Sequence, residues 1–384
     1  MTNRPLRVCY FGTYRANYSR NQILIAGLRQ AGVEVVECHA PLWRGIEDRV
    51  QAASGGWRRP GFLWRVLRTY WRLLRAYARV GDFDVMVLGY PGQLDVFLAR
   101  LLTWQRRKPL VLDVFMSIYL IAAERGLVAK SPFTGRWIGR LERWACLLPE
   151  RLIIDTAAYR DWFVETYHLA PERFRLVPTG ADDRIFTPVP AQERGPGFCV
   201  MQYSGYLPGT GVDVILEAAS RLQDEPDIHF HLLGDGQLKP QAVAQAQRLG
   251  LKNVTFFGWV DKHELPLRAA AADVCLGVFA RAEQSERTVV NKVYEALAMA
   301  KPLITGDSPT VREHLVDGEE VLLVPREDPD ALARTILRLW NDPALARSLA
   351  ERGHGRYLAE YAIASLGEKL RRHLRELLVE RKQV

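Results

Sequence analysis

Short apolar runs that end in glycine or a turn and lead into a helical stretch recur along this chain, and few folds accommodate that rhythm. Arg7-Val-Cys-Tyr-Phe-Gly12 has the composition of a buried strand closed by a glycine turn. Asn21 to Ala31 carries Ile23, Leu24 and Leu28 at helical spacing and stops at Gly32, and Val33–Cys38 resumes strand character. This is a βαβ opening, whose crossover is right-handed. Asp84–Leu88, Pro109–Asp113, Leu152–Thr156 and Phe174–Val177 are apolar without alternation, as parallel strands covered on both faces must be. Thr187-Pro-Val-Pro-Ala-Gln-Glu-Arg-Gly-Pro-Gly197 then interrupts the pattern with linker chemistry. After it the alternation restarts, with strands at Phe198–Tyr203, Ile228–Leu233, Val254–Phe257, Val274–Gly277 and Val321–Val324. Helical stretches lie at Gly211–Leu222, Pro240–Leu249, His263–Ala271 and Pro329–Asn341, and Ala344–Lys382 is almost wholly helical and charged. The expected fold class is α/β, two Rossmann-like domains facing a central cleft, with ligands at the carboxyl ends of the strands. The expected domains are 1–188, a linker at 189–197, 198–362, and a terminal helix at 363–384 able to pack back on the first domain.

A length of 384 residues suits two domains with separate cores. No run of eighteen apolar residues occurs, so no membrane-spanning helix is expected. Leu6–Phe11 is too short for a leader's apolar region, and residence in the cytoplasm follows as the expectation. Cys9, Cys38, Cys146, Cys199 and Cys275 lack metal-ligand spacing, and three of them lie in strand-like runs as small buried hydrophobes. Charge is uneven: residues 1–190 hold 28 Lys+Arg against 17 Asp+Glu, and the remainder holds 24 against 27. The two halves should therefore meet different partners.

The segment Asn291-Lys-Val-Tyr-Glu295-Ala-Leu-Ala-Met-Ala-Lys-Pro-Leu-Ile-Thr-Gly306 is a helix, a turn and a buried strand. Pro302 ends the helix. Asn291 and Glu295, four apart, share one helical face, and Lys292 joins them in the first turns, where N–H groups attract anions. Glu295 suits the hydroxyls of a ribose or sugar, and Lys292 suits a diphosphate. Three glycine-bearing strand ends accompany this helix: Tyr203-Ser-Gly205-Tyr206-Leu-Pro-Gly209-Thr210-Gly211, Leu233-Gly234-Asp235-Gly236 and Phe257-Gly258-Trp259-Val260. They offer close backbone approach and N–H groups, without the spacing of a Walker or dinucleotide loop.

The strings SGYLPGTGVDVILEA, HLLGDG, VTFFGWV, ADVCLGVF, NKVYEALAMAKPLI and VREHLVDGEEVLLV, in that order, make the second domain resemble the retaining glycosyltransferases of family 4, which have the GT-B architecture. The first domain is similar more loosely, through Gly12, Gly32 and Val177-Pro-Thr-Gly-Ala-Asp182. The resemblance implies transfer of a sugar from a nucleotide-activated donor with retained configuration, and a mechanism in which the leaving phosphate takes the acceptor proton. It implies that Glu295 holds the donor ribose, Gly205 lies against the phosphates, and Gly236 and Val260 flank the nucleotide. Three positions depart from the family pattern. Arg287 stands where a second Glu is usual, with Glu286 and Glu283 as the nearest acids. Tyr206 and Thr210 stand where Arg and Lys usually hold the diphosphate, leaving Arg281, Arg287 or Lys292 to supply that charge. Asp113-Val-Phe-Met-Ser117 lacks the usual His, which makes Asp113 and Ser117 the candidates for orienting the acceptor. No Asp-x-Asp metal motif occurs, and neither metal nor cofactor is expected.

In the first domain, Gly12-Thr-Tyr14-Arg15-Ala-Asn-Tyr-Ser-Arg20 and Gly89-Tyr90-Pro-Gly-Gln93-Leu-Asp95 follow strands and combine aromatic, cationic and polar groups suited to an acceptor sugar or its phosphate. Residues 57–80 form a basic amphipathic helix: Arg65, Arg68, Arg72, Arg75 and Arg79 line one stripe, Leu63, Val66, Leu67, Tyr70, Leu74 and Tyr77 another face, with Trp57, Trp64 and Trp71 beside the arginines. That pattern fits an anionic membrane surface; no nucleic-acid motif accompanies it. The combined expectation is a cytoplasmic, peripheral transferase moving a sugar from a nucleotide-sugar donor onto a lipid-linked or polysaccharide-precursor acceptor. The alternatives are a sugar-nucleotide epimerase, a glycosyltransferase of soluble natural products, and a non-catalytic sugar-binding or scaffold protein.

Overall fold

The computed structural model describes residues 4–42, 60–190, 196–207 and 209–383. Trp57 and residues 191–195 of the expected linker lie outside the described residues. The chain divides into two compact units, one running to Pro178 and including the segment from Ile363 onward, the other Thr179–Ala362. The division precedes the proline-rich stretch, which corrects the expected boundary at 188. Ala181 and Phe186 are buried in the second unit's core, and the Tyr357 hydroxyl donates to the Ala181 carbonyl at 3.1 Å. Residues 179–186 therefore fold with the second unit.

The first unit holds strands β1 (Arg7–Gly12), β2 (Glu34–His39), β3 (Val85–Leu88), β4 (Leu110–Asp113), β5 (Arg151–Ile154) and β6 (Phe174–Leu176). They form one parallel sheet in the order β2-β1-β3-β4-β5-β6. The order reverses between β1 and β3, so the switch point lies at Gly12 and Gly89. Among the described residues its helices are, in chain order, α1 (Ser19–Gln30), α2 (Pro60–Tyr77), α3 (Asp95–Gln105), α4 (Ile118–Glu124), α5 (Leu127–Lys130), α6 (Pro132–Leu147) and α7 (Ala157–Tyr167). One sheet face is covered by α2, α3, α6 and α7, through Leu73, Val96, Ala99, Ala145 and Phe163. The other is covered by α1 and the last helix of the chain, through Leu24, Leu28, Leu366 and Leu370. These two helices touch backbone to backbone: a Cβ on Gly367 would stand 2.0 Å from the Gly27 carbonyl oxygen. Two glycines on facing helices thus set the approach.

The second unit holds β7 (Phe198–Ser204), β8 (Ile228–Gly234), β9 (Val254–Phe256), β10 (Val274–Leu276), β11 (Leu303–Gly306) and β12 (Leu322–Val324), all parallel, in the order β12-β11-β10-β7-β8-β9. This is the doubly wound order in which the switch point falls between the first and fourth strands, here β7 and β10. Its helices are α8 (Val212–Arg221), α9 (Lys239–Arg248), α10 (Leu265–Ala270), α11 (Glu283–Arg287), α12 (Asn291–Ala298), α13 (Pro309–His314), α14 (Pro329–Asn341) and α15 (Pro343–Glu360). The charged helical stretch from Ala344 breaks before Ile363, where a terminal helix was expected to begin, because Tyr361 and Ala362 both turn their N–H groups to the Tyr357 carbonyl. The final helix, α16 (Ile363–Gln383), belongs to the first unit. Nine of the twelve described strands have no exposed residue, as continuous apolar runs predict.

Candidate functional site

In the second unit, the loops after β7 and β10 meet at the switch point. The Phe279 N–H donates to the Thr210 carbonyl at 3.2 Å, and a Cβ on Gly211 would stand 2.5 Å from the Ala280 nitrogen. Gly211 has φ +72 and starts α8 with no side-chain cap. The loops after β7 and β8 are equally close: a Cβ on Gly234 would fall 1.9 Å from the Ser204 carbonyl oxygen, and one on Gly236 would fall 1.8 Å from that of Gly205. Both positions have strongly positive φ, so only glycine fits there. Three strand ends are thereby held as one backbone platform with Gly205 at its centre.

Beside this platform α12 brings Glu295, Lys292 and Asn291. Val290 at the N-cap offers no side-chain bond; the Val293 N–H turns back to the Val290 carbonyl at 3.0 Å, and the Asn291 and Lys292 N–H groups are left to a ligand or to water. The Tyr203 hydroxyl, from the end of β7, donates to Glu295 Oε2 at 2.7 Å. Burial pushes the Glu295 carboxyl above its ordinary value, with the Tyr203 hydrogen bond and Lys292 pulling the other way. The Lys292 ammonium is sealed from solvent and has no hydrogen-bond partner. It sits 5.9 Å from the centre of the Tyr203 ring. Burial draws it down to about 8, an effect only partly offset by Glu295. A buried cation without a hydrogen-bonded partner is costly, and such sites mark function more often than stability. Chemically, the platform, the helix start and Lys292 make a receptor for a diphosphate, and Glu295 is a hydrogen-bond acceptor beside it.

The other expected donor residues are placed as follows. The Tyr206 side chain is fully buried, adopts φ +42, and donates to the Leu232 carbonyl at 3.4 Å. The Thr210 hydroxyl closes its own turn on the Leu207 carbonyl at 2.9 Å. Tyr206 as a ligand-touching side chain is thus corrected: its packing leaves only backbone on that surface. Arg287 is tied to Glu283 within one turn of α11, and Glu286 lies 3.4 Å from Arg326. Neither Arg287 nor Glu286 stands apart from an ion pair. Arg281 is exposed at the loop after β10, Asp235 is exposed and accepts from the Gly236 N–H, and Val260 is half-buried against the core. Two cations escaped the sequence reading. Lys239 donates to the carbonyls of Gly234 and Phe257, 2.7 Å each, and pins the β8 and β9 ends. Arg326, buried just after β12, donates to the carbonyls of Ala280, Ser285 and Asp307 and shapes the β10 loop. Lys239 sits five residues past a strand-end glycine, which was a usable signal; Arg326 had none.

In the first unit the acceptor candidates are largely turned inward. Arg20 is 0% exposed and grips Asp113 with two bonds of 3.0 and 2.9 Å, while its remaining nitrogen donates to the Val177 and Pro178 carbonyls. The Ser117 hydroxyl caps α4 and donates to the buried Glu142 carboxylate at 2.6 Å, which also accepts from Ile118 N–H and Tyr167 hydroxyl. Asp113, Ser117 and Arg20 are therefore corrected from acceptor-facing groups to buried supports. Tyr14 is buried, with its hydroxyl on Glu37 and its ring 4.3 Å from that of His39. Tyr90 packs against Tyr18 and Phe115, and the Gln93 amide points at the Val114 and Met116 carbonyls with its oxygen unpartnered. Gly12 is required by its neighbour: a Cβ there would stand 2.7 Å from Asp95 Oδ2. Asp95, at the end of the loop after β3, accepts from Thr13 N–H at 2.6 Å and from the Tyr70 hydroxyl of α2 at 2.7 Å. Arg15 remains half-exposed on this edge. Among the described residues no cluster of three or more His, Cys, Asp or Glu suits a metal ion.

Two family profiles match the chain: "Glycosyltransferase Family 4" over residues 22–184 and "Glycosyl transferases group 1" over residues 199–342. The MMP alpha-(1->4)-mannosyltransferase of Mycolicibacterium hassiacum is 26% identical over 245 residues, 62% of this chain and 57% of that protein. The lipopolysaccharide core biosynthesis glycosyltransferase LpsE of Rhizobium meliloti is 30% identical over 164 residues, 42% of this chain and 45% of that protein. The chain spans about half the length of the curated relatives it matches. Anabaena HepE, crystallised with UDP, superposes with a TM-score of 0.68 at 15% identity, covering 97% of this chain and 100% of its own. That likeness establishes the fold, GT-B with two parallel six-stranded sheets. On the two profiles and this fold, the chain belongs to the group 1 glycosyltransferases of family 4.

Proposed function

We propose that the protein is a retaining glycosyltransferase that moves a sugar from a nucleotide-sugar donor to a carbohydrate or lipid-linked acceptor in polysaccharide-type synthesis. The observation that carries this reading is the unpartnered, sealed ammonium of Lys292 beside Glu295 at the switch point of the second sheet. Family membership supports it, as do relatives described as mannosyl and lipopolysaccharide-core transferases.

In this reading the donor diphosphate lies over Gly205 and the start of α12, where N–H groups bond it and the positive field of Lys292 beneath them offsets the charge that grows as the glycosidic bond breaks. Glu295, oriented by Tyr203, accepts hydrogen bonds from the donor's ribose. Lys292 takes the place of the Arg and Lys that Tyr206 and Thr210 replace, so no divalent cation is assigned a role, and turnover undiminished by a chelator is expected. The first unit supplies the acceptor site along the loops after β1 and β3. The basic helix α2 holds the enzyme at the inner face of an anionic membrane, where lipid-linked acceptors reside; its exposed Trp64, Leu67 and Trp71 and its four arginines support that placement.

The test is titration with a panel of nucleotide sugars, read by heat or thermal shift, followed by transfer assays with Glu295→Gln. One sugar nucleotide should bind selectively, and the variant should keep its fold while losing at least about a hundredfold in turnover. Near-normal transfer by folded Glu295→Gln would remove Glu295 from the site.

A further inference from the structure

The first unit carries a cavity of about 430 Å³ whose lining includes Arg100, Arg107, Lys108, Arg381, Trp104 and Glu150. Lys108 and Glu150 precede β4 and β5, so the cavity opens at the amino edge of the first sheet, away from the strand ends assigned to the acceptor. Its charge is strongly one-sided. Glu150 is the one carboxylate in the lining, and both its oxygens are committed: one to Arg100 at 2.8 Å, the other to the Leu110 N–H at 2.8 Å. Lys108 reaches outward to Asp82 at 2.7 Å. Arg107 and Arg381 are exposed and form no ion pair among the described residues. A concave pocket with unneutralised guanidinium groups is a receptor for an oxyanion, and arginine suits phosphate in particular.

What surrounds the cavity says which phosphate. Trp104, at its rim, is 73% exposed, and α3 also exposes Leu101. Helices α2 and α6, on the same sheet face, expose Trp64, Trp71, Trp137 and Trp144. The three helices together contain two carboxylates, Asp95 and Glu142, and both are 0% exposed and bonded inward. Every exposed charge on these helices is therefore arginine, set among tryptophan, leucine and phenylalanine. Tryptophan beside cations, with no exposed acid on these helices, matches a lipid–water interface rather than a soluble anion's surroundings.

We propose that this cavity receives the phosphoryl headgroup of an anionic membrane lipid, with Trp104 seated in the adjoining interface. The proposal rests on the membrane placement above and deepens it: α2 supplies general attraction, and the cavity supplies a defined headgroup site on a second helix.

The test is sedimentation with phosphatidylcholine vesicles with and without phosphatidylglycerol, using the full chain, the double variant Arg107→Gln/Arg381→Gln, and the equal-charge control Arg68→Gln/Arg72→Gln. Thermal unfolding of all three proteins should match, since the altered side chains are outside the core. The cavity variant should lose roughly tenfold or more in affinity for phosphatidylglycerol vesicles, and soluble glycerol phosphate should compete with vesicles for the wild type but not for that variant. If the wild type ignores phosphatidylglycerol vesicles, the membrane placement itself fails. If only the α2 control weakens binding, the placement stands and the headgroup site is overturned. If inorganic phosphate binds through Arg107 and Arg381 while vesicle binding is indifferent to them, the cavity is a soluble-anion site and the lipid assignment is wrong.

Discussion

Replacing Lys292 by methionine should make the protein more stable and less able to bind its donor. The ammonium has no partner, and burial brings it from the ordinary lysine value of 10.5 to about 8. That gap corresponds to about 3 kcal/mol held against the charged form in the folded state. The sign follows from proton counting. Between pH 8 and 10.5 the unfolded chain keeps the Lys292 proton and the folded chain has released it, so stability rises with pH across that window. Below pH 8 the full cost is present. Methionine removes that cost, which is already net of the attraction to Glu295; allowing for its imperfect fit in the lysine's place, a net gain of ~1–2 kcal/mol at neutral pH is expected. Urea unfolding of wild type and Lys292→Met at neutral pH, pH 9 and pH 10 measures it, and the advantage of the variant should shrink at each step. Calorimetry with the nucleotide sugar found by titration should show affinity lowered by about tenfold or more, the loss of one charge-assisted contact. A variant less stable than wild type at neutral pH, or a stability gap that ignores pH, would refute the claim of an unpaired buried ammonium. Unchanged donor affinity would refute its role.

Two further outcomes are expected. Asp113→Ala leaves the buried Arg20 guanidinium without its carboxylate and should destabilise the first unit by ~3–5 kcal/mol; a stable variant with only a raised KM for acceptor would restore Asp113 to the acceptor site. Gly236→Ala forces a Cβ to 1.8 Å from the Gly205 carbonyl oxygen at φ +149, costing several kcal/mol of local strain. Nucleotide-sugar binding by calorimetry should vanish, and retained affinity would show that the platform geometry is dispensable.

Much of the fold was legible because its signals are local. An apolar run such as Ile228–Leu233, a glycine at its end and a helix-forming stretch after it need no information from elsewhere in the chain, and β8 occupies that run with one residue added. Pro329–Asn341 was read to the residue, with Asp328 capping it and Pro329 in the first turn. The candidate site was legible in part for the same reason: Lys292 and Glu295 lie on one short helix. Roles that depend on distant partners were not. Arg20 and Asp113 are ninety-three positions apart and looked like two free polar groups; side by side they satisfy each other. Ser117, expected to orient the acceptor, is committed to Glu142, twenty-five positions away. Tyr206 stood at a family phosphate position, yet its ring is buried and its hydroxyl is bonded to Leu232.

By itself, then, the sequence determined the alternation of strands and helices, the two sheets, the glycine-bearing strand ends and the basic stripe on α2, because periodicity and backbone permission act within a few residues. The tertiary structure alone decided which charges are spent and which are held ready. A carboxylate's availability depends on what the fold brings within hydrogen-bond reach, and that is a property of packing. Thus Asp113 and Glu142 are consumed as supports, and Lys292 is sealed without a partner beside Glu295.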